Sequence, residues 1–241
     1  MDSIEILPGV KVTVDRCLFL KEGPTVVLGD LHLGYESALE EEGMYIPRIN
    51  TNSIRDALNT VLYKYEPRRI VLLGDIKHDF RRTRNEGCDE VKTIIRMLTD
   101  VAEVIVVKGN HDNYLQNILS DMGMTAVDYV DICGFRMEHG HVDTGRRPVI
   151  IGHEHPSVRI AGAVSGSLKL QCFLHLRKEG IIVIPPFSPM SSGSDLSFSD
   201  SDSFMSPACN AADTGSADVY GISEMGILAM GKLSEISDIE L

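Results

Sequence analysis

Tryptophan is absent from the 241 residues, and aromatic side chains make up only 6% of them. A buried core must therefore rest on Val, Ile, Leu and Met, for which the 43% hydrophobic content suffices. Basic side chains are also short in supply, 23 against 35 acidic ones, for a formal net charge of -12. Such a chain does not hold nucleic acid non-specifically through its overall field, although a local basic strip could still contact phosphates. Carboxylates attract divalent cations as well, so the acidity is neutral towards a metalloenzyme. Paired cysteines are missing too. Cys17, Cys88, Cys133, Cys172 and Cys209 are odd in number, widely spaced and form no CxxC, which argues against a zinc ribbon or a disulfide framework and for a reducing, cytoplasmic setting. No apolar run approaches the roughly 18–20 residues that cross a bilayer. The opening MDSIEILPGVKV lacks the basic and apolar regions of a secretory signal. A soluble protein with no membrane partner is expected. Solenoid-length repeats are absent as well.

What is present is alternation. Residues 4–20 read as short strands broken by Pro8-Gly9 and Asp15-Arg16, an opening hairpin. Thr25–Leu28 is an apolar run ending in Gly29-Asp30, the pattern of a buried strand and a turn. Helices are expected over 35–43 and over Thr51–Tyr65, the second with Ile54, Leu58, Val61, Leu62 and Tyr65 on one face. The pattern then recurs: Ile70–Leu73 before Gly74-Asp75, a helix over Cys88–Leu98, Val104–Val107 before Gly109-Asn110-His111-Asp112, and a helix over about 113–122. Strand–helix alternation predicts an α/β fold whose first three such strands are parallel. Tyr129–Cys133, Phe135–Glu138, Val149–Ile151, Leu170–Leu176 and Ile181–Ile184 follow as strands without helices between them, which predicts a second, largely antiparallel sheet. From Pro185 to Ala217 the chain turns to Ser, Asp, Gly and Pro without periodicity, and Ser199–Ala217 reads as a long, partly disordered loop. Val219–Leu233 reads as a returning strand. The length fits one domain spanning 1–241 with a flexible Ser/Asp-rich insertion at about 188–217.

Ligands in open α/β sheets gather beyond the carboxyl ends of the strands. Those ends carry Asp30-Leu31-His32, Gly74-Asp75 and Gly109-Asn110-His111-Asp112, and the later strands add His139 in EHGH and His153 and His155 in GHEHP. Carboxylate, amide oxygen and imidazole without thiolate suit hard-to-borderline divalent metals. Strand alternation puts i and i+2 on one face, so Asp30 and His32 could share an ion. His153 and His155 could do the same, unless a turn sends them to different ions. A single carboxylate can bridge two cations about 3.5–4 Å apart, and an anionic bridge such as Asp75 offsets their repulsion.

These motifs, DLH, GD, GNHD, HG and GHEH in this order, resemble the calcineurin-like metallophosphoesterase superfamily. DLHLGYE, GDIKHDF, EHGH, GHEHPS and PPFSP look closer still to the archaeal and bacterial branch that includes the ligase-associated DNA-damage-response phosphoesterase. The resemblance runs from about Val26 to the C-terminus, interrupted by the Ser/Asp-rich stretch. It implies an α/β fold of two mixed sheets in an αββα sandwich, and a phosphoesterase with two divalent metals. Manganese is expected first, with iron, nickel, zinc or magnesium as alternatives. By the same resemblance Asp30, His32 and His155 would hold the first metal, Asp75 would bridge, and Asn110, His139 and His153 would complete the second. His111 would act beside the metals, donating to the phosphate or protonating the leaving oxygen. Where the Ser/Thr phosphatase branch has an Asp three residues after the bridging Asp, this chain has His78; Asp79 or Asp112 could orient His111 instead, or no carboxylate does.

Other residues carry two readings each. His78, Arg81 and Arg82 could contact a substrate phosphate or belong to a solvated loop, and Arg146-Arg147 divides the same way. Tyr35 could stack on a base or sit at the edge of the core. The run Glu40-Glu41-Glu42 reads as an exposed helix end, His141 as an orienting residue and His175 as structural. The function expected is a phosphodiesterase acting on nucleic acid or a nucleotide. The alternatives are a phosphomonoesterase or nucleotide pyrophosphatase, and a non-catalytic protein-binding scaffold.

Overall fold

The computed structural model describes residues 1–34, 49–77, 85–161, 167–188, 191, 193–197 and 204–238. Its first sheet holds six strands in sequence order: β1 (Ser3–Leu7), β2 (Val10–Thr13), β3 (Leu18–Leu20), β4 (Thr25–Leu28), β5 (Arg69–Leu73) and β6 (Glu103–Val107). β1 to β4 form an antiparallel meander, with three strands, β1 to β3, in place of the expected two-stranded hairpin. β4, β5 and β6 are parallel, as predicted, in the register Leu28 beside Leu72 and Leu72 beside Val106. The crossovers are α1 (Ile49–Tyr65) and α2 (Asn85–Thr99); α3 (Leu115–Ser120) follows β6.

The continuous apolar runs of β4 and β5 are explained by burial on both faces. Val26, Leu28, Ile70 and Leu72 point to the helices, where they meet Ile54, Leu58 and Val61 of α1. On α2 the contacts are Val91, Ile94, Ile95 and Leu98, an i, i+3, i+4, i+7 set that defines one helical face. Val27, Val71, Leu73 and Val107 point the other way, onto a second sheet.

That second sheet runs β13 (Ser194–Asp195), β10 (Pro156–Ala161), β11 (Ser167–Leu176), β12 (Ile181–Val183), β9 (Val149–Ile151), β8 (Phe135–Glu138), β7 (Tyr129–Ile132), with β14 (Asp218–Ser223) on β11 and β15 (Gly226–Lys232) on β14. Met137, Ile150, Phe173 and Ile182 face the first sheet and close the inter-sheet core. The sheet is largely antiparallel, as expected, but mixed, because β8–β9, β9–β12 and β10–β13 pair in parallel. The expected tail strand is a hairpin, β14 and β15. β10 went unrecognised in the sequence because the histidine-rich motif runs straight into it.

Within 204–217 the structure departs from the loop expected there. α4 (Pro207–Asn210) and a 3-10 turn (Thr214–Ser216) form, and Phe204, Ala208, Cys209 and Ala217 pack against Val149, Ile151, Leu174 and Val183 on the outer face of the second sheet. Low periodicity hid a few well-spaced apolar anchors. The described layers are therefore helix, sheet, sheet, and this short helical cover. No helix among the described residues is long and apolar enough to cross a membrane.

Candidate metal centre

The parallel strands deliver metal-capable side chains at one end because each stops one or two residues short of them. Asp30 and His32 follow β4, Asp75 follows β5, and Asn110 to Asp112 follow β6. From the second sheet, His139 follows β8, while His153 and His155 lie between β9 and β10. Backbone bonds stitch these loops together: Asp30 N–H to Gly74 O (3.2 Å), His32 N–H to Asp75 O (2.9 Å), and Gly152 N–H to His139 O (2.9 Å).

Two groups of ligand atoms result. Asp30, His32 and His155 form one, and Asp75, His139 and His153 the other, the atoms of each lying within 4.8 Å of one another. His32 Nε2 is 3.3 Å from His155 Nε2, and His155 Nε2 is 3.2 Å from Asp30 Oδ1. In the second group His139 Nε2 lies 3.4 Å from Asp75 Oδ1 and 3.0 Å from Asn110 Oδ1, so Asn110 joins it. Asp75 falls within the second group, and Asp30 Oδ1 lies 3.8 Å from the far ring nitrogen of His139, Nδ1.

The geometry corrects one argument from the sequence. Asp30 and His32 do not share an ion by strand alternation, since both lie past the end of β4. Asp30, His32, Asp75, His153 and His155 all have φ between 45° and 67°, the left-handed region that non-glycine residues seldom occupy. Five such residues in one site mark stored backbone strain that the surrounding hydrogen bonds must hold. The turn at Gly152–Pro156 sends His153 to one group and His155 to the other.

Gly109 shows how tightly the loops meet. A Cβ there would lie 2.2 Å from Asp75 Oδ1 and 2.3 Å from Asp75 N, so only glycine lets the third loop close on the second. Asp112 braces the same contact. Its buried carboxylate accepts from Ile76 N (3.0 Å), Lys77 N (3.2 Å) and Gly109 N (2.8 Å). Burial, against the pull of the Gly109 N–H, pushes its pKa up to about 6. Asp112 is thus occupied in tying loops together; Asp79, the other carboxylate considered for orienting His111, lies outside the described residues. The His111 backbone N–H donates to Asp75 Oδ1 (2.9 Å), and its ring packs edge-on to His32 at 5.8 Å between centroids.

The electrostatics ask for positive charge. Burial works against ionisation of Asp30, yet the charge of His155, 3.2 Å away, and the fields of His139 and His32 hold its pKa below the usual carboxylate range. Burial likewise opposes a charged His139, but Asp75 and Asp30 outweigh it and raise it to about 9. His153, without such a bond, is depressed to about 4 by burial and by His139. Asp30 Oδ1 is fully buried and makes no hydrogen bond of proper geometry. An orphaned carboxylate oxygen facing imidazole nitrogens is a vacant acceptor for a cation, and the donor set of carboxylate, imidazole and amide oxygen suits two divalent ions.

Partners behind the rings fix which nitrogen faces inward. His139 Nδ1 lies 3.0 Å from Leu73 O, which turns Nε2 to the second group. His155 Nδ1 lies 3.0 Å from Ser191 Oγ, which turns Nε2 to the first. Neither Ser191 nor the buried Glu154 and Glu138 stood out in the sequence. The one available signal was a glutamate enclosed by two histidines. Glu138 accepts from Thr144 N and Oγ1 and shapes the loop after His139. His141 lies with its ring 5.3 Å from that of His139, and His175 is buried within β11. Arg147 is engaged by Asp143 through two bonds of 2.9 Å, which favours the loop reading for it. His78, Arg81, Arg82, Tyr35 and Glu40–Glu42 lie outside the described residues.

Residues 23–165 match the calcineurin-like phosphoesterase family, and over more than half of its length the chain belongs to that family. It is a metal-dependent phosphoesterase, a hydrolase of mixed α/β fold. The structure of the nuclease MPE of Pseudomonas putida superposes with a TM-score of 0.68 at 18% identity, covering 95% of this chain and 98% of that one. At that identity the likeness shows the fold. None of the curated proteins compared with the chain matches it in sequence.

Proposed function

We propose that this protein is a dinuclear-metal phosphodiesterase acting on a nucleotide or nucleic-acid ester. The observation that carries the reading is the convergence of Asp30, His32 and His155 beside Asp75, His139 and His153 at one end of both sheets. In this reading the first three would hold one ion and the second three, with Asn110, the other. Two divalent cations there supply Lewis-acid polarisation of the phosphoryl oxygens and a water acidified towards a pKa of about 7. The chain's own residues do the rest. Asp30 and Asp75 set the negative charge that draws the ions in, and the strained loops hold the imidazoles fixed so that no reorganisation is spent during the reaction. His111, held against Asp75 through its backbone, is placed beside the His32 ring to donate a proton to the departing alcohol oxygen. Manganese is the ion proposed, on the nitrogen and oxygen donor set. The fold shared with a nuclease supports diesters as the substrate class. The odd number and wide spacing of the five cysteines support a cytoplasmic location.

The test compares an aryl phosphodiester with an aryl phosphomonoester in the presence of Mn²⁺. The diester should be the better substrate by kcat/KM. His111→Ala should lower kcat by roughly 10²–10⁴-fold, the range for losing a general acid, and Asp75→Asn should abolish turnover. Either variant folded and as fast as wild type on the diester would sink the proposal, and a monoester preference would move the enzyme to the phosphomonoesterases.

A further inference from the structure

The Ser/Asp-rich stretch has no apparent duty in the sequence, yet its described residues wrap the loop that carries His153 and His155. Ser188 N–H donates to Asp30 O (3.3 Å), and Ser191 N–H donates to Ser188 O (3.3 Å). Ser191 O accepts from Gln171 Nε2 (2.8 Å), which anchors this turn to β11. Ser194 N–H donates to His155 O (2.7 Å), where β13 joins β10 in parallel. Gly193 permits that approach: its φ is +71°, and a Cβ would stand 2.6 Å from His155 O. Further along, Glu154 accepts the backbone N–H groups of Met205 (3.1 Å) and Ser206. The stretch thus grips residues 154 and 155 from both sides.

At the centre of this grip is one side-chain contact, Ser191 Oγ to His155 Nδ1 at 3.0 Å. We infer that Ser191 is a positioning residue that selects the tautomer and ring rotation of His155 and so sets the affinity of the first metal position. An imidazole binds a cation through a nitrogen that carries no proton, so Nε2 is available only if Nδ1 holds the proton. Nε2 faces Asp30 Oδ1 at 3.2 Å and His32 Nε2 at 3.3 Å, and once a cation displaces its proton there, Nδ1–H donates to the Ser191 hydroxyl. Without an acceptor there, the proton exchanges between the two nitrogens and the ring turns more freely. Losing such an outer partner commonly weakens metal binding by about 10–100-fold. The hydroxyl itself is held in place, because the Ser191 carbonyl is pinned by Gln171 and its N–H by Ser188. The inference rests on the proposed metal-ligand role of His155.

Calorimetric titration of the metal-free protein with Mn²⁺ tests it. Ser191→Ala should weaken one of two binding steps by roughly 10–100-fold and spare the other. Ser191→Thr, which keeps the hydroxyl, should stay near wild type, and Gln171→Ala should show a smaller loss of the same step. Proton–nitrogen NMR of the protein loaded with diamagnetic Zn²⁺ should show the His155 Nδ1–H as a hydrogen-bonded, slowly exchanging proton in wild type and as a fast-exchanging one in Ser191→Ala. A brace that was merely structural would leave that signature unmoved. Wild-type affinity at both steps in Ser191→Ala, with an unchanged Nδ1–H signal, overturns the inference and leaves the phosphodiesterase reading standing. Failure of the wild-type protein to bind Mn²⁺ at all overturns both.

Discussion

Asp112 illustrates why a residue beside a ligand need not be one. Three backbone N–H groups from two different loops end on its carboxylate, inside the protein, where each has no water to turn to. Replacing it with Ala removes every acceptor at once, and a buried donor left unsatisfied costs about 1–3 kcal/mol. Asp112→Ala should therefore destabilise the metal-free protein by about 3 kcal/mol, read as a shift of the urea midpoint at constant slope. Asp112→Asn, which keeps one oxygen acceptor, should lose less. A change within about 0.5 kcal/mol for the alanine variant would mean that the brace is not borne by this side chain. The same logic separates the two arginines at 146 and 147, of which Arg147 is spent on Asp143.

At the scale of elements, the parallel strands and the segment after residue 203 make opposite cases. β4, β5 and β6 announce themselves because burial on both faces demands unbroken apolar runs, and a Gly-Asp or Gly-Asn turn ends β4 and β5 at once and β6 one residue on. The cover over the second sheet consists of a helical turn and a 3-10 turn, too short for any periodicity to register. It is nevertheless anchored, since Phe204, Ala208 and Cys209 are buried against β9, β11 and β12. Phe204→Ala should then cost about 3–4 kcal/mol, as for other large core aromatics. Equilibrium urea unfolding measures it, and a loss under about 0.5 kcal/mol would return 204–217 to the status of a loose loop. Because Glu154 binds the backbone at Met205 and Ser206, the same variant should also weaken Mn²⁺ binding.

For the whole molecule, two sheets converge to put buried carboxylates and imidazoles around a common centre in a chain already carrying a net charge of -12. Their mutual repulsion is relieved when cations bind, so ligand binding should stabilise the fold by mass action. One ion at a hundredfold excess over its Kd adds about 2.7 kcal/mol. For a chain of this length that corresponds to a rise in Tm of about 5–11 °C. Stripping with a chelator should lower Tm by at least this much, and Mn²⁺ should restore it where Na⁺ at equal ionic strength does not. A Tm indifferent to chelation and to Mn²⁺ would contradict a shared cation site.

What the sequence determined by itself is which metal-capable side chains stand at the strand ends. Apolar runs, turn glycines and the hard donors after them are local features, and local chemistry is legible in order along a chain. Which histidine of GHEH joins which group, the left-handed backbone at Asp30, His32, Asp75, His153 and His155, and the bracing by Asp112, Glu154 and Ser191 were decided only in three dimensions. Each depends on contacts between segments separated by tens of residues. Hydrogen bonds and excluded volume across such distances hold conformations that no residue would prefer alone, and a one-dimensional pattern carries no record of them.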